Sequence, residues 1–188
     1  MKFTIHNKTT APEASQPILQ AVERAYGFIP NLYGVFAESP AAVQAYVALS
    51  EALKKSALSP IEQQVVAIAV STENDCAYCV AAHSGMASMM KMPDATLCEL
   101  REQRPLSDPK LKVLRDFTLA VVKERGWVAP TEVEAFLGAG YSRRQLLEVI
   151  TVVAMKTLSN YVNHIAETPL DQAFESKQWS AKKEHQTA

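Results

Sequence analysis

The sequence predicts an all-α fold, and two observations lead to this prediction. Only 6 of the 188 residues are glycine, whereas Ala, Leu, Val, Glu, Gln and Met are frequent, a composition that favours helices over a turn-rich β architecture. The second observation is a set of helix-start signals, in which a capping side chain precedes a proline or opens a capping box: Ser39-Pro40, Ser59-Pro60, Asp108-Pro109, and Ser142 with Gln145.

Apolar residues recur at helical spacing after these starts and through most of the chain. The predicted helices cover residues 15–26, 40–56, 60–72, 76–91, 94–103, 109–125, 131–138 and 143–165. The short apolar run Val65 to Val70 also fits a buried strand, but the Pro60 start favours a helix there. The segment Leu146 to Leu158 is apolar on nearly every face, which indicates a central core helix or a contact with a partner subunit.

Composition and charge predict one globular domain and exclude two kinds of partner. Residues 1–176 form the predicted domain, and residues 177–188 form a polar, charged C-terminal tail. With 19 Lys and Arg residues against 20 Asp and Glu residues, the net charge of −1 lacks the basic excess that nucleic-acid and membrane-surface binding require. Met1 to Thr10 lacks an apolar signal core, and no stretch approaches the roughly 18 apolar residues of a membrane span, so we expect a cytoplasmic protein.

Three cysteines in a chain without an export signal indicate redox or metal chemistry rather than a secreted disulfide framework. If Asn74 or Asp75 caps a helix, Cys76, Cys79 and His83 follow on one helix face at positions i, i+3 and i+7. A helix N-terminus and a Cys-x-x-Cys pair both stabilise a thiolate, with a thiol pKa of about 3.5 to 7.5. His83 lies one turn after Cys79 and can accept its proton, so these three residues are typical of an activated dithiol with its own base.

An activated dithiol can reduce a peroxide. Attack by one thiolate gives a sulfenic acid, the second thiol closes a disulfide, and an external reductant reopens it. Two alternatives stay open for these residues: Cys76, Cys79, His83 and Cys98 as a zinc-binding Cys3His set, or the same side chains simply packed in the core. Cys98 by itself is expected to be a small buried hydrophobic residue. A thioredoxin-like domain is disfavoured because strands and helices do not alternate.

Three segments of the chain carry a family resemblance: Phe28 to Phe36 (FIPNLYGVF), the block from Leu58 to His83 that ends in CAYCVAAH, and Thr157 to Ala166 (TLSNYVNHIA). In these segments the chain resembles the AhpD-like family, also called the carboxymuconolactone decarboxylase superfamily, in its peroxidase-related branch. The resemblance implies an all-helical bundle, assembly into trimers or hexamers, and thiol-dependent reduction of hydroperoxides of the alkylhydroperoxide reductase type. It also implies a thiol or dithiol reductant, and we expect neither a metal nor an organic cofactor.

The resemblance assigns roles to individual residues. Cys79 corresponds to the attacking thiol, Cys76 to its disulfide partner and His83 to the proton acceptor. The family's relay glutamate lies twelve residues before the first cysteine, where this chain has Gln64. A glutamine can orient His83 but cannot accept a proton.

Further side chains are candidates for supporting the site. Glu62 and Glu73 are nearby carboxylates that could replace the relay glutamate. His164, with Asn163, matches a family element and could reach the site from the long helix or from a neighbouring subunit. Tyr78, between the cysteines, could gate access or donate a hydrogen bond. Two other functions remain possible, a carboxymuconolactone decarboxylase-like or lactone-handling enzyme and a non-enzymatic redox-sensing or zinc-binding oligomer.

Overall fold

The computed structural model describes residues 3–181, and these residues form an α-helical bundle with no β-strand. The prediction of an all-α fold is therefore confirmed. The nine α-helices of the described range are α1 Gln16–Tyr26, α2 Asn31–Phe36, α3 Pro40–Leu53, α4 Pro60–Glu73, α5 Ala77–Met89, α6 Asp94–Arg101, α7 Pro109–Lys123, α8 Pro130–Gly138 and α9 Arg143–Ala166. Short 3-10 helices at Glu13–Ser15 and Gln172–Lys177 flank them.

The predicted helix starts are confirmed as capping interactions. The side chains of Ser39, Ser59, Asp108 and Ser142 each accept a hydrogen bond from a backbone N–H in the first turn of the following helix. The apolar run from Val65 to Val70 is helical and lies within α4. Caps and apolar spacing therefore located eight of these helices to within a few residues.

The helix α2 was missing from the sequence prediction because its stabilising contacts come from distant parts of the chain. The backbone N–H of Asn31, its first residue, donates to Asp171 Oδ1 over 3.0 Å, across 140 positions of sequence. Gly34 disfavours an isolated helix, yet a side chain there would clash, since a Cβ would lie 2.8 Å from His6 O. No local pattern of residues reveals contacts of this kind.

The helix α4 lies at the centre of the bundle and packs against α5, α7 and α9. Its residues from Val65 to Val70 are all buried, and α9 contributes the buried side chains of Val149, Val152 and Met155 to the same core. The buried side of α9 then continues with polar residues, namely Lys156, Ser159, Asn160 and Asn163. Polar groups in such a position need partners, and these partners identify the site described below.

The C-terminal segment after α9 is attached to the bundle. The guanidinium of Arg101 on α6 donates to Lys177 O over 3.0 Å and to Gln178 O over 2.9 Å, and Trp179 Nε1 donates to Arg101 O over 2.8 Å. The first residues of the predicted tail thus contact α6, while residues 182–188 lie outside the described range. The domain boundary at residue 176 stays a prediction. None of the described helices is long and apolar enough to cross a membrane.

Asp171 connects three parts of the fold. One carboxylate oxygen caps Asn31 at the start of α2, and the other accepts a hydrogen bond from the buried Tyr78 hydroxyl of α5. The same hydroxyl accepts a bond from Leu32 N at 3.3 Å. Burial, together with the Asp171 carboxylate, raises the pKa of Tyr78, so its hydroxyl remains a donor. Asp171 therefore joins the C-terminal segment to α2 and to α5, the helix that carries Cys79.

Replacing Asp171 by alanine should lower the free energy of unfolding by about 1 to 3 kcal/mol, because it leaves the Tyr78 hydroxyl and the first turn of α2 without an acceptor. Urea denaturation followed by circular dichroism measures this change. Asp116→Ala is the control, since it removes only ion pairs of an exposed carboxylate with Lys112 and Arg115, worth about 1 kcal/mol or less. Equal midpoints for the two variants would contradict the role of Asp171.

Candidate active site

A tight turn between α4 and α5 positions the two cysteines. Asp75 adopts a left-handed conformation with φ of 53°, and Cys76 N then donates to Ser71 O over 2.9 Å. As a result Cys76 is itself the N-cap residue of α5, and Cys79 lies in the first turn. The expectation that Asn74 or Asp75 caps this helix is wrong, because Asp75 reverses the chain one residue before the helix begins.

Cys76 and Cys79 form no disulfide, each has only 1 % of its surface exposed, and His83 on α5 is also buried. The opposite wall comes from α9. Lys156 Nζ lies 3.4 Å from Cys79 Sγ and 2.8 Å from His83 Nε2. Asn163 Nδ2 lies 3.2 Å from Cys79 Sγ, and Ser159 Oγ is 3.7 Å from the same sulfur. The two walls around Cys79 are therefore formed by α5 and α9, which lie about 80 positions apart in the sequence.

Lys156 contacts both Cys79 and His83, yet it is not among the site residues predicted from the sequence. It is 1 % exposed, and a buried ammonium is costly unless an anion or hydrogen-bond acceptors compensate it. A signal was available in the sequence, because Lys156 occurs in a segment that is apolar on nearly every face. A charged residue at such a position requires a buried partner, and this partner is Cys79.

The hydrogen bonds around His83 define its protonation state. Gln64 Oε1 lies 2.8 Å from His83 Nδ1, and a carboxamide oxygen can only accept, so Nδ1 carries the proton. The other ring nitrogen, Nε2, is then free to accept a hydrogen bond from Lys156. Burial and the charge of Lys156 lower the pKa of His83 well below its usual value, which keeps the ring neutral.

The two cysteines differ in protonation. Burial alone would raise the pKa of Cys79, but the hydrogen bond from Cys76, the charge of Lys156 and a contact with Ser159 together hold it well below its ordinary value. The hydrogen bond to Cys79, with burial and the neighbouring negative charge, raises the pKa of Cys76. Burial lowers the pKa of Lys156, but the negative charge of Cys79 and the other neighbouring groups together outweigh burial, and the pKa is raised. The site thus holds a thiolate, a thiol and an ammonium.

This geometry changes the expected proton path. The sequence predicts that the proton of Cys79 passes directly to His83, one helical turn away. In the structure Lys156 bridges the two residues, since its ammonium contacts both Cys79 Sγ and His83 Nε2. The neutral ring of His83 orients the ammonium, and Lys156 is the charged group that faces the thiolate.

The two carboxylates proposed as relay substitutes are engaged elsewhere. Glu62 closes the capping box of α4 by accepting from Ser59 N over 2.7 Å. Glu73 lies 3.4 Å from Lys123 Nζ in an ion pair with α7. The group that contacts His83 Nδ1 is Gln64 itself.

Three other candidates are also placed by the structure. His164 is exposed on α9, whereas its neighbour Asn163 is buried against the thiols. Tyr78 donates its hydrogen bond to Asp171 and so supports the fold beside the site. Of the adjacent residues Asn163 and His164, it is therefore Asn163 that contacts the cysteines.

Cys98 is exposed on α6, which contradicts the expectation that it is a buried hydrophobic residue. The buried positions of this helix are taken by its neighbours, including Leu97 and Leu100, and the Cys98 thiol lies 3.4 Å from Glu102 Oε1. Across residues 3–181 no group of three or more His, Cys, Asp or Glu side chains could hold a metal ion. The zinc set that includes Cys98 is therefore not assembled in the described part of the chain.

Comparison with solved structures defines the class of fold. The AhpD-core, uncharacterized peroxidase-related protein from Ralstonia eutropha JMP134 is similar, with a TM-score of 0.82, 22% identity and coverage of 92% of this chain and 93% of that one. An uncharacterized peroxidase-related protein from Silicibacter sp. TM1040 gives a TM-score of 0.77, 20% identity and coverage of 88% and 89%. The debrominase Bmp8, in complex with 2,3,4-tribromopyrrole, gives 0.78, 16% identity and coverage of 94% and 95%. The fold is thus AhpD-like.

Residues 40–106, which run from α3 past α6 and include both cysteines and His83, match the model of the carboxymuconolactone decarboxylase family. No curated protein matches the chain. Together with the fold shared with the peroxidase-related structures, this match supports the predicted resemblance to the AhpD-like carboxymuconolactone decarboxylase superfamily.

Lys156→Met should raise the pKa of Cys79, because it removes the positive charge that stabilises the thiolate while keeping an apolar side chain of similar length. The ultraviolet absorbance of the thiolate, recorded as a function of pH in a Cys98→Ser background, measures the pKa of Cys79. In the parent protein Cys79 should stay ionised at neutral pH and lose its charge only as the pH falls through its lowered pKa.

The matched control for this titration is Lys112→Met, which removes an ammonium that is 47% exposed and paired with Asp116 on the surface. This variant should titrate like the parent. A Lys156→Met curve that coincides with the Lys112→Met curve would show that Lys156 does not stabilise the thiolate.

Proposed function

We propose that this protein is a thiol-dependent peroxidase that reduces hydroperoxides with Cys79 and Cys76. The observation that carries the proposal is the Lys156 ammonium 3.4 Å from Cys79 Sγ, with both groups 1 % exposed. A buried ion pair is rarely worth its desolvation as a contribution to stability, so its retention points to chemistry. The match of residues 40–106 to the carboxymuconolactone decarboxylase family model and the similarity to peroxidase-related structures support the same conclusion.

In the first step the Cys79 thiolate attacks the terminal oxygen of a hydroperoxide. A sulfur–oxygen bond forms, the oxygen–oxygen bond breaks, and the electron pair leaves with the alkoxide. The ammonium of Lys156 gives its proton to this alkoxide, which departs as an alcohol. Cys79 is now a sulfenic acid, and Lys156 is a neutral amine.

In the second step Cys76 resolves the sulfenic acid. The Lys156 amine accepts the proton of the Cys76 thiol, and the new thiolate attacks the Cys79 sulfur. The sulfur–oxygen bond breaks, and the hydroxide takes the proton back from Lys156 to leave as water. A thiol or dithiol reductant then supplies two electrons and two protons, which restore the Cys76 thiol and the ion pair of Cys79 with Lys156.

His83 and Gln64 are positioning residues in this scheme. The Gln64 carbonyl accepts the Nδ1 proton of His83, and Nε2 thereby accepts from the Lys156 ammonium. This chain of hydrogen bonds orients the Lys156 side chain both as an ammonium and as a neutral amine. It replaces the charged relay of the family with a neutral one.

We further propose that the protein acts as a homo-oligomer, a trimer or hexamer as the resemblance implies. One stripe of α9 leaves apolar side chains on the surface at helical spacing: Leu147, Ile150, Tyr161 and Ile165, which are 64%, 42%, 57% and 70% exposed. Exposed apolar stripes of this kind mark interaction surfaces. The same helix supplies Lys156 and Asn163 on its buried side, so a subunit contact on the exposed side would hold α9 in place at the site.

Thiol titration with one equivalent of tert-butyl hydroperoxide tests the peroxidase, again in a Cys98→Ser background. The parent should lose both remaining thiols to a disulfide. Cys79→Ser should lose none, and Cys76→Ser should lose one and form a sulfenic acid that dimedone traps. An unchanged thiol count in the parent, or a loss that persists in Cys79→Ser, would overturn the proposal.

The same variants separate the rival functions. A decarboxylase or lactone-handling enzyme would retain its activity in the Cys76→Ser, Cys79→Ser double variant, because its reaction needs no dithiol. A redox sensor would oxidise once but would not turn over when a dithiol reductant is supplied. Continuous peroxide consumption that requires both cysteines and the reductant supports the peroxidase.

Gln64→Leu should lower the turnover number with tert-butyl hydroperoxide about tenfold, because the Nδ1 proton of His83 loses its acceptor and the ring no longer holds one tautomer. Gln64→Asn keeps a neutral carboxamide acceptor on a shorter side chain and should lose less turnover than Gln64→Leu. Circular dichroism verifies that both variants are folded. Equal turnover in Gln64→Leu and the parent would remove Gln64 from the positioning chain.

A further inference from the structure

The two polar atoms of the Asn163 side chain differ, because only the amide nitrogen has a partner. Its amide nitrogen lies 3.2 Å from Cys79 Sγ and 3.7 Å from Cys76 Sγ, and the residue is 5% exposed. Its amide oxygen, Oδ1, is also buried, but it accepts no hydrogen bond from any residue in the range 3–181. A buried acceptor without a donor, on the amide that touches the reactive sulfur, points to a ligand at this position.

The protonation of the two cysteines fixes the direction of this amide. A thiolate at Cys79 can only accept, and the single proton of Cys76 is directed to Cys79. Neither sulfur offers a hydrogen to Oδ1, so the amide presents its nitrogen to them and leaves its oxygen for another donor. Asn160, one turn earlier on α9, shows the contrast, because its Oδ1 accepts from Asn74 Nδ2 over 3.0 Å and its Nδ2 contacts Ser71 Oγ at 3.4 Å.

We propose that Asn163 Oδ1 binds the O–H group of the peroxide, so that the site selects peroxides with a free hydroperoxy hydrogen. This inference rests on the proposed function. A hydroperoxide has one hydrogen-bond donor, on the terminal oxygen that the Cys79 thiolate attacks. Donation to Asn163 holds this oxygen beside the sulfur, while the Lys156 ammonium faces the oxygen that leaves. The hydrogen stays on the attacked oxygen, and Asn163 then holds the hydroxyl of the sulfenic acid.

The test compares two electrophiles that react with Cys79. tert-Butyl hydroperoxide carries the O–H donor, whereas methyl methanethiosulfonate has no N–H or O–H group and reports only the nucleophilicity of the thiolate. In Asn163→Ala, loss of the Nδ2 contact affects both reactions, but loss of Oδ1 affects only the hydroperoxide. The rate constant for the hydroperoxide should therefore fall about tenfold further than that for the thiosulfonate.

Asn163→Leu, which has a similar volume but no polar atom, provides a second replacement in case the alanine variant does not fold. Asn160→Ala is the matched control, a buried asparagine on the same helix without a sulfur contact, and the ratio of its two rate constants should equal that of the parent. Equal losses for both electrophiles in the Asn163 variants would overturn the role of Oδ1. A parent protein that reacts with the thiosulfonate but not with the hydroperoxide would instead overturn the proposed function, and this inference with it.

Discussion

The ion pair between the Lys156 ammonium and the Cys79 thiolate is the interaction on which the rest of the site depends. Each charge is almost fully buried, and either one without the other would be an uncompensated charge in the core. The pair therefore explains why the buried side of α9 turns from apolar to polar after Met155. Each further polar group has a role toward it: His83 accepts from the ammonium, and Asn163 donates to the thiolate.

The presence of Gln64 is consistent with this charge balance. One cation and one anion already neutralise each other, and His83 is kept uncharged by burial and by the neighbouring ammonium. A glutamate at position 64 would add a second buried anion, which the site would have to offset by protonating His83. Glutamine supplies the acceptor that His83 Nδ1 needs without adding charge. Gln64 and the buried lysine thus form one electrostatic arrangement.

Features set by nearby residues were predictable from the sequence, and features set by distant contacts were not. Caps such as Ser59 define helix starts locally, and Cys76, Cys79 and His83 share a face because they lie on one short segment. By contrast, α2 depends on Asp171, and Lys156 reaches Cys79 across 77 positions of sequence. The wrong expectation for the cap of α5 has a local cause, a left-handed turn at Asp75 that a non-glycine residue rarely adopts.

The coupling between the two cysteines also orders the proposed reaction. While Cys79 is a thiolate, its charge and its hydrogen bond from Cys76 raise the pKa of Cys76, which therefore remains protonated and unreactive. Oxidation of Cys79 removes this negative charge, and it leaves Lys156 without its anion after the alkoxide has taken the proton. The neutral amine is then a base beside a thiol that no longer faces a negative charge. Cys76 is therefore activated only after Cys79 has reacted, and the electrostatics of the pair separates the attacking thiol from the resolving one.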